Sequence, residues 1–513
     1  MAILSEFCQL MGKTEKFDTV IIGSGLGGLL CANILGKLGR RVCVLEKNKQ
    51  FGGNLQTFSR EKQIFDTGVH YIGGLEKGQN LHQIFAYTGV MEKLQLEKMD
   101  DCFDRVIIGN GQKTYALCQG YDHFIQALAR DFPAEEQNII AYCEKIKEVC
   151  RSFPLYNLTL HSSHNSYKGH TESAQEMIAS FTTNKTLRAV LAGNNLLYAG
   201  NASTPFHVHA LVTNSYIESS WKCVGGGSQI AKILVANIRK YGGEILRNCP
   251  VTRIIEKDGT IAFVETEDGG RVYADNFISN IHPAETLTIT SSALLKDIYK
   301  QRINNLTPTI SSFSVHMVLE KKKIKYEKCN YYYHEDAEIW HLGACSPGQW
   351  PLGYGLYYSE DKNHPGYAAT VSILTTMPFE EVKPWAHTYN RTGKESFRGA
   401  EYEAFKNAKA RQLLELVSKH FPQLISHTQS VYCSTPLTNR DYIGDATGSM
   451  YGIQKDYKDP LKTMISPRTK IPNLFLTGQN LNLHGILGTS LSAVLTCVML
   501  TGNEKIVEEI RNC

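Results

Sequence analysis

No two of the fourteen cysteines lie within three positions of each other, so neither a zinc knuckle nor a dithiol redox motif can be assembled from local spacing. Reduced, packed thiols are expected, and with them a reducing, cytoplasmic setting. Charge of one sign is equally scarce. Lys and Arg number 54 against 50 Asp and Glu, a net charge of +4 over 513 residues, which gives no basis for a nucleic-acid groove. The one dense basic run, Lys321 to Lys325, is broken by Ile324 and followed by Glu327. It reads as a solvated strand end or turn rather than a patch on an anionic membrane. The first 16 residues carry Glu6, Lys13, Glu15 and Lys16 around a short apolar stretch, without the apolar region of a secretory signal. Gly485 to Gly502 is an uncharged run of 18 residues, but Thr489, Ser490, Ser492 and Thr496 mark it as a buried helix, not a membrane span. Short-period repeats and low-complexity tracts are absent.

What is present is the composition of a globular protein: 42% hydrophobic, 20% charged, with 16 prolines. Disorder, collagen-like repeats and coiled coils are thereby excluded. The length corresponds to about three domain equivalents or one large interleaved enzyme.

Phe17-Asp-Thr-Val-Ile-Ile22 reads as a buried parallel strand stopped by glycine. Gly23-Ser-Gly-Leu-Gly-Gly28 follows, then a helical pattern over Leu29 to Leu38 and a second strand, Arg41 to Glu46, ending in an acid. That is one complete βαβ unit. Gly23 makes the tight turn, and Gly25 lets a diphosphate reach backbone N–H groups at the helix start. A lone G-x-G-x-x-G is weak evidence, but Glu46 stands 18 residues beyond Gly28, where a carboxylate accepts hydrogen bonds from ribose hydroxyls. Its charge also disfavours a 2′-phosphate. Further on, Gly225-Gly-Gly-Ser228 leads into a helix over about 229 to 241. Strands are expected around Ile245 and over Val251 to Ile255, Ile261 to Thr266, Arg271 to Ala274 and Phe277 to Asn280. Asn473 to Gly478 is another strand ending in glycine, ahead of the 485 to 502 helix. The nucleotide-binding domain is therefore discontinuous.

Gly52-Gly53-Asn54 and Phe65-Asp-Thr-Gly-Val-His-Tyr71 carry a resemblance beyond the dinucleotide turn. Together with the turn and Glu46 they resemble the FAD-dependent family of phytoene desaturases, carotenoid isomerases and all-trans-retinol 13,14-reductases. The retinol saturase branch is the nearest. Two later stretches extend the resemblance: Thr435-Pro-Leu-Thr-Asn-Arg-Asp-Tyr442 with Gly448 and Tyr451-Gly452, and Leu476-Thr-Gly-Gln-Asn480 followed by His484-Gly-Ile-Leu-Gly488. The matches span roughly residues 17 to 500, while about 90 to 220 and 290 to 430 match no motif.

The resemblance implies an α/β fold: a Rossmann-like FAD domain in three pieces (17–90, 221–290, 431–510) and a mixed-sheet substrate domain in two (91–220, 291–430). It further implies that Gly23, Ser24, Gly25, Gly27 and Gly28 cradle the diphosphate of FAD, that Glu46 holds the adenosine ribose and that Lys47 flanks it. Gly53 and Asn54 would lie along the diphosphate and ribityl chain, and Val251 would meet the adenine. Gly478 and Gln479 would approach the ribityl chain, with Ile486 and Leu487 by the isoalloxazine. A helix N-terminus at that last position would stabilise a reduced, negatively charged flavin.

The expected activity is reduction of a carbon–carbon double bond in a hydrophobic polyene. Desaturation and cis–trans isomerisation remain open because one scaffold serves all three outcomes. Such a reaction exchanges a hydride with the flavin and a proton with another group, for which His70, Tyr71 and His484 are the candidates. An amine oxidase and a non-enzymatic binding protein related to the GDP-dissociation inhibitors are the competing readings. Asn54 follows the Gly52-Gly53 doublet where an arginine would be usual in amine oxidases. An electron donor or acceptor must exist, yet no second dinucleotide turn offers a nicotinamide site, and a membrane-dissolved substrate would imply peripheral membrane contact.

Tyr331, Tyr332, Tyr333, Trp340, Trp350, Tyr354, Tyr357 and Tyr358 cluster within about 30 residues, as strand residues packing on a sheet or as the wall of an apolar tunnel. His207 and His209 would share a strand face if extended, but no third ligand is near and no metal site is expected.

Overall fold

Two sheets carry the fold in the computed structural model, which describes residues 16–160, 171–341, 343, 347–390 and 397–513. The first fifteen residues, where a leader sequence was considered, lie outside the described residues. In the first sheet Glu244–Leu246, Val42–Leu45, Phe17–Ile22 and the end of Arg271–Ser279 lie side by side, all parallel, and Leu474–Leu476 adds a further parallel strand beyond Ser279. These strands are buried on both faces, which is why they read as continuous Val, Ile and Leu runs. Arg271 to Ser279 is one strand where two were expected. Its first half pairs antiparallel with Thr260–Thr266, and Val251–Lys257 continues that wing.

The second sheet runs in the order Thr428–Ser434, Ser311–Leu319, Ala368–Met377, Gly353–Glu360, Asn330–His334, Cys102–Ile108, Thr114–Cys118. One contact, between Asn330–His334 and Cys102–Ile108, is parallel and the others are antiparallel, so the sheet is mixed as expected. Period-two alternation sorts its aromatics. Tyr331, Tyr333, Tyr354 and Tyr358 pack on one face with Phe313 and Trp350, while Tyr332 and Tyr357 point to the opposite face. The sheet-packing reading holds for most of the cluster, and Tyr357 alone among these eight aromatics borders the main cleft.

The first helix, Leu26–Lys37, begins a turn earlier than the apolar pattern implied, because Gly27 and Gly28 belong to its first turn. The second runs over Ser228–Lys240, close to expectation. Gly485–Thr501 is a buried helix, and no helix among the described residues is long and apolar enough to cross a membrane. Lys321, Lys322, Lys323 and Lys325 stand exposed in a turn after Ser311–Leu319.

The histidine pair and the cysteines each depart from the sequence picture in one respect. His207 and His209 lie in the helix Phe206–Glu218, not on a strand, so residues two apart point in different directions. His209 is fully buried between the Tyr142 hydroxyl at 2.7 Å and the Tyr198 hydroxyl at 2.8 Å, a core role that leaves no nitrogen for a metal. The cysteines are mostly buried and free, but Cys102 and Cys118 face each other across two paired strands and form a disulfide.

Candidate active site

A single cleft of about 740 Å³ runs from the glycine turn after Phe17–Ile22 to the aromatic face of the second sheet. At its first end the backbone is packed too tightly for side chains. A Cβ on Gly25 would stand 2.8 Å from Asn280 Nδ2, one on Gly27 would meet Asn280 Oδ1 at 2.6 Å, and one on Gly478 would meet the same oxygen at 2.8 Å. Asn280, at the end of the Arg271–Ser279 strand, thus ties the two glycine turns together, and its Nδ2 donates to Gly23 O at 3.3 Å. Gly23 adopts a φ of +94°, which favours glycine.

The Leu26–Lys37 helix has no side-chain cap and no acid in its first turn, so its free N–H groups and the positive end of its dipole are left for a ligand. The Gly485–Thr501 helix starts the same way, and Gly485, Ile486 and Leu487 border the cleft. His484 occupies its N-cap position without a capping bond, and its buried Nδ1 has no hydrogen-bond partner. Two uncapped helix starts, a cradle closed to any Cβ and an orphaned ring nitrogen fit an extended dinucleotide with a diphosphate at its centre.

Glu46 is buried beside this cradle. Its Oε2 accepts from Ser24 N at 2.9 Å and Ser24 Oγ at 2.6 Å, and its Oε1 accepts from Asn48 N at 2.8 Å. A carboxylate has about four acceptor positions, so one remains for a ribose hydroxyl. Lys47, Gly53, Asn54, Val251, Gly478 and Gln479 also border the cleft. Ser24 and Gly28 do not. Ser24 is fully buried and spends its side chain on Glu46. Gly28 faces Gly23, whose carbonyl oxygen would be 2.2 Å from a Cβ there, so it serves helix–strand packing rather than a ligand.

At the other end the cleft is walled by His70, Tyr71, Tyr216, Tyr357, Tyr451 and His484. The His70 ring stacks on Tyr357 with centroids 4.1 Å apart and planes 7° apart. Burial pushes His70 and His484 down to about 3, helped by the ammonium of Lys222 at His70 and by Lys455 at His484. Both rings are neutral at physiological pH. Tyr71 differs, since its hydroxyl donates to Asp104 at 2.7 Å and lies 2.8 Å from the Tyr332 hydroxyl.

The three proton-donor candidates all border the cleft; Tyr357 was legible as a tunnel-wall candidate and Tyr451 as part of a motif, but sequence reasoning gave Asn280 and Tyr216 no role. For Asn280 a signal existed, a polar residue closing a strand that re-enters the nucleotide-binding sheet. For Tyr357 the pairing of the second sheet decides which face it takes, while Tyr216 lies on the helix Phe206–Glu218 and Tyr451 outside any strand or helix, so for those two only the packing of distant segments brings them to the cleft.

Comparison with known proteins agrees with this geometry. The family model described as flavin containing amine oxidoreductase matches residues 26–498. All-trans-retinol 13,14-reductase of Rattus norvegicus is 30% identical, over 96% of this chain and 87% of that one. Prolycopene isomerase 2 of an Oncidium hybrid cultivar is 25% identical, over 94% and 83%. Among solved structures, an oxidoreductase from Methanosarcina mazei shares the fold with a TM-score of 0.64 at 15% identity, covering 93% of this chain and 98% of that one. With the glycine cradle, two uncapped helix starts and a family match over most of its length, this chain belongs to the flavin-containing amine oxidoreductase family.

Proposed function

We propose that the protein reduces a carbon–carbon double bond of a hydrophobic, retinoid- or carotenoid-like polyene. It is an FAD-dependent oxidoreductase, and the observation that carries the substrate reading is the continuity of one cleft from the dinucleotide cradle to a chamber walled by six aromatic rings. A conjugated chain suits such a chamber, since flat rings pack on a flat polyene and exclude water. The similarity to retinol reductases supports saturation, and the similarity to prolycopene isomerases supports isomerisation as the second reading.

In this reading Gly23, Gly25 and Gly27 hold the diphosphate at the Leu26–Lys37 helix start, with Ser24 locking Glu46 toward the ribose and Lys47 beside it. Gly53, Asn54, Gly478 and Gln479 follow the diphosphate and ribityl chain, Val251 meets the adenine, and Ile486 and Leu487 flank the isoalloxazine. FAD, when bound, supplies the ring that carries the hydride. The chain supplies the rest: the aromatic wall orients the polyene, and the neutral histidines keep a fixed charge away from it. Tyr71, joined to a buried carboxyl, is favoured over His70 and His484 as the group that handles the proton.

The division into FAD segments 17–90, 221–290 and 431–510 and substrate segments 91–220 and 291–430 is supported by sheet membership. Thr290–Ser291, Ser220–Cys223 and Thr428–Ser434 straddle those boundaries, and Ser220–Cys223 joins Ile72–Gly73 of an FAD segment to Leu96–Lys98 of a substrate segment.

An anaerobic titration tests the function. Dithionite-reduced protein should recover its flavin absorption on adding all-trans-retinol or a carotenoid, with a product shortened in conjugation. A flavin that stays reduced with every polyene, or hydrogen peroxide released from amines in air, would overturn it. Binding to neither liposomes nor any apolar ligand would count equally against a lipid substrate.

A further inference from the structure

Behind the aromatic wall lies the carboxyl to which Tyr71 is joined. Asp104, on the Cys102–Ile108 strand, is fully buried in the second sheet. Asn330 Nδ2 donates to its Oδ1 at 3.0 Å, and Asn194 Nδ2 and the Tyr71 hydroxyl donate to its Oδ2 at 3.1 and 2.7 Å. From there a row of hydroxyls runs toward the cleft. Tyr71 lies 2.8 Å from Tyr332, and Tyr332 lies 3.3 Å from Tyr357, whose ring borders the cleft. Tyr332 is fully buried, and its hydroxyl bonds only those of Tyr71 and Tyr357 among the described residues.

The backbone makes room for the last step of this row. Gly355 pairs with Tyr332 across the sheet, and a Cβ at Gly355 would stand 2.4 Å from the Tyr357 hydroxyl. Glycine at this point therefore lets that hydroxyl lie over the strand, within reach of Tyr332.

We infer that Asp104, Tyr71, Tyr332 and Tyr357 form a proton relay that delivers a proton from the buried carboxyl to the polyene carbon left with the electron pair. The inference rests on the reductase reading. With Asp104 protonated, each hydroxyl donates toward the cleft. The Tyr357 O–H bond breaks as the carbon–hydrogen bond forms, and Tyr357 is reprotonated by Tyr332, Tyr332 by Tyr71 and Tyr71 by Asp104. Asp104 ends as the carboxylate and regains its proton from water. The hydride for the neighbouring carbon is the reduced flavin's.

Electrostatics supports the order of the chain. Burial holds Tyr71, Tyr332 and Tyr357 far above the ordinary phenol range, so none of them is a resting place for the charge. Burial raises Asp104 to about 6, against three hydrogen bonds and the nearby ammonium of Lys222 that favour its ionised form. The tyrosines Tyr71 and Tyr332, the amides of Asn194 and Asn330, and Lys222 are the groups that face it. Tyr357 would be the catalytic residue, and Asp104, Tyr71 and Tyr332 its positioning and supply line.

Infrared titration of the oxidised, FAD-loaded protein without substrate tests the relay itself. A carboxylic-acid carbonyl band should vanish with a midpoint near pH 6, and a tyrosine C–O mode should shift with the same midpoint. Asp104→Asn should remove both. Tyr332→Phe, which deletes one hydroxyl and opens no cavity, and Gly355→Ala, which displaces the Tyr357 hydroxyl, should keep the band and lose the coupled shift. Asp66, a second buried carboxyl raised to about 6, serves as the control: Asp66→Asn should leave the tyrosine shift intact. In turnover, Asp104→Asn and Tyr332→Phe should lower kcat roughly ten- to hundredfold with KM within about twofold, and flatten the pH profile around 6. An Asp104 that does not titrate, or a tyrosine mode indifferent to Asp104→Asn, overturns the relay. Wild-type kcat and pH profile in both variants overturn it as well. If the wild type reduces no polyene, the function fails and the infrared titration alone decides whether the relay exists.

Discussion

Ser24 donates both its backbone N–H and its hydroxyl to one oxygen of Glu46, at 2.9 and 2.6 Å. The second residue of the glycine turn thus holds the acid at the end of the next strand, and two motif elements that sequence treats separately form one rigid unit. Hydrogen bonds to a carboxylate are the strong ones, and these keep Glu46 aimed with no reorganisation on binding.

Removing that carboxylate should weaken the cofactor and spare the fold. Glu46→Ala is expected to raise the FAD dissociation constant about ten- to hundredfold, equivalent to about 1.4 to 3 kcal/mol. Flavin absorbance per protein after gel filtration reads the loss. Full retention of flavin would show that Glu46 does not touch the cofactor.

Gly25 and Gly28 should fail differently when changed to alanine. At Gly25 the new Cβ meets an Asn280 side-chain atom, which can move into the cleft, so Gly25→Ala should stay folded with little flavin. At Gly28 it meets the Gly23 carbonyl at 2.2 Å, a backbone atom that cannot swing aside, so Gly28→Ala should lower the melting temperature of the flavin-free protein as well. Equal melting temperatures for the two variants would contradict this division.

Stability should fall steeply on acidification below pH 6.5. Burial lowers His70, His209 and His484 to about 3 and His316 and His334 to about 4. In this window the unfolded chain binds those protons and the folded chain does not, so their contribution, complete above about pH 6.5, is lost as pH falls toward 4. Asp66 and Asp104, raised to about 6, act in the opposite sense, but the histidines outnumber them by three. The slope should be on the order of a few kcal/mol per pH unit near pH 5. Denaturant midpoints at pH 7, 6 and 5 check it, and a flat series would refute the neutral, buried histidines.

His209 should matter to stability and not to metal content. His209→Leu strands the Tyr198 hydroxyl in the core and leaves that of Tyr142 only the Leu191 carbonyl at 3.3 Å, which should cost about 1 to 3 kcal/mol. Chelators should leave the wild-type activity unchanged. A loss of activity with chelator, restored by a divalent metal, would reopen the metal reading.

Much of the nucleotide-binding half was legible because its signals are local. The strand Phe17–Ile22, its glycine turn, Glu46 and the strand–glycine–helix at the C-terminal end each depend on residues within about thirty positions, where backbone sterics and helix-start chemistry act directly. Their outcome barely depends on the rest of the chain. The function of the middle segments was not legible in that way. Whether a tyrosine faces a cleft or a core depends on strand register, and Tyr332 differs from Tyr331 and Tyr333 only by the pleat of a sheet whose partners are up to 226 residues away.

The amino-acid sequence by itself determined the cofactor class and the βαβ cradle, because a diphosphate is recognised by backbone N–H groups that only closely spaced glycines expose. Tertiary structure alone decided which hydroxyls line up behind the cleft, that Asn280 joins two distant turns, and that His209 serves the core. Each of these is a contact between residues remote in the chain, and burial and charge at such contacts arise only when the two sheets close on each other.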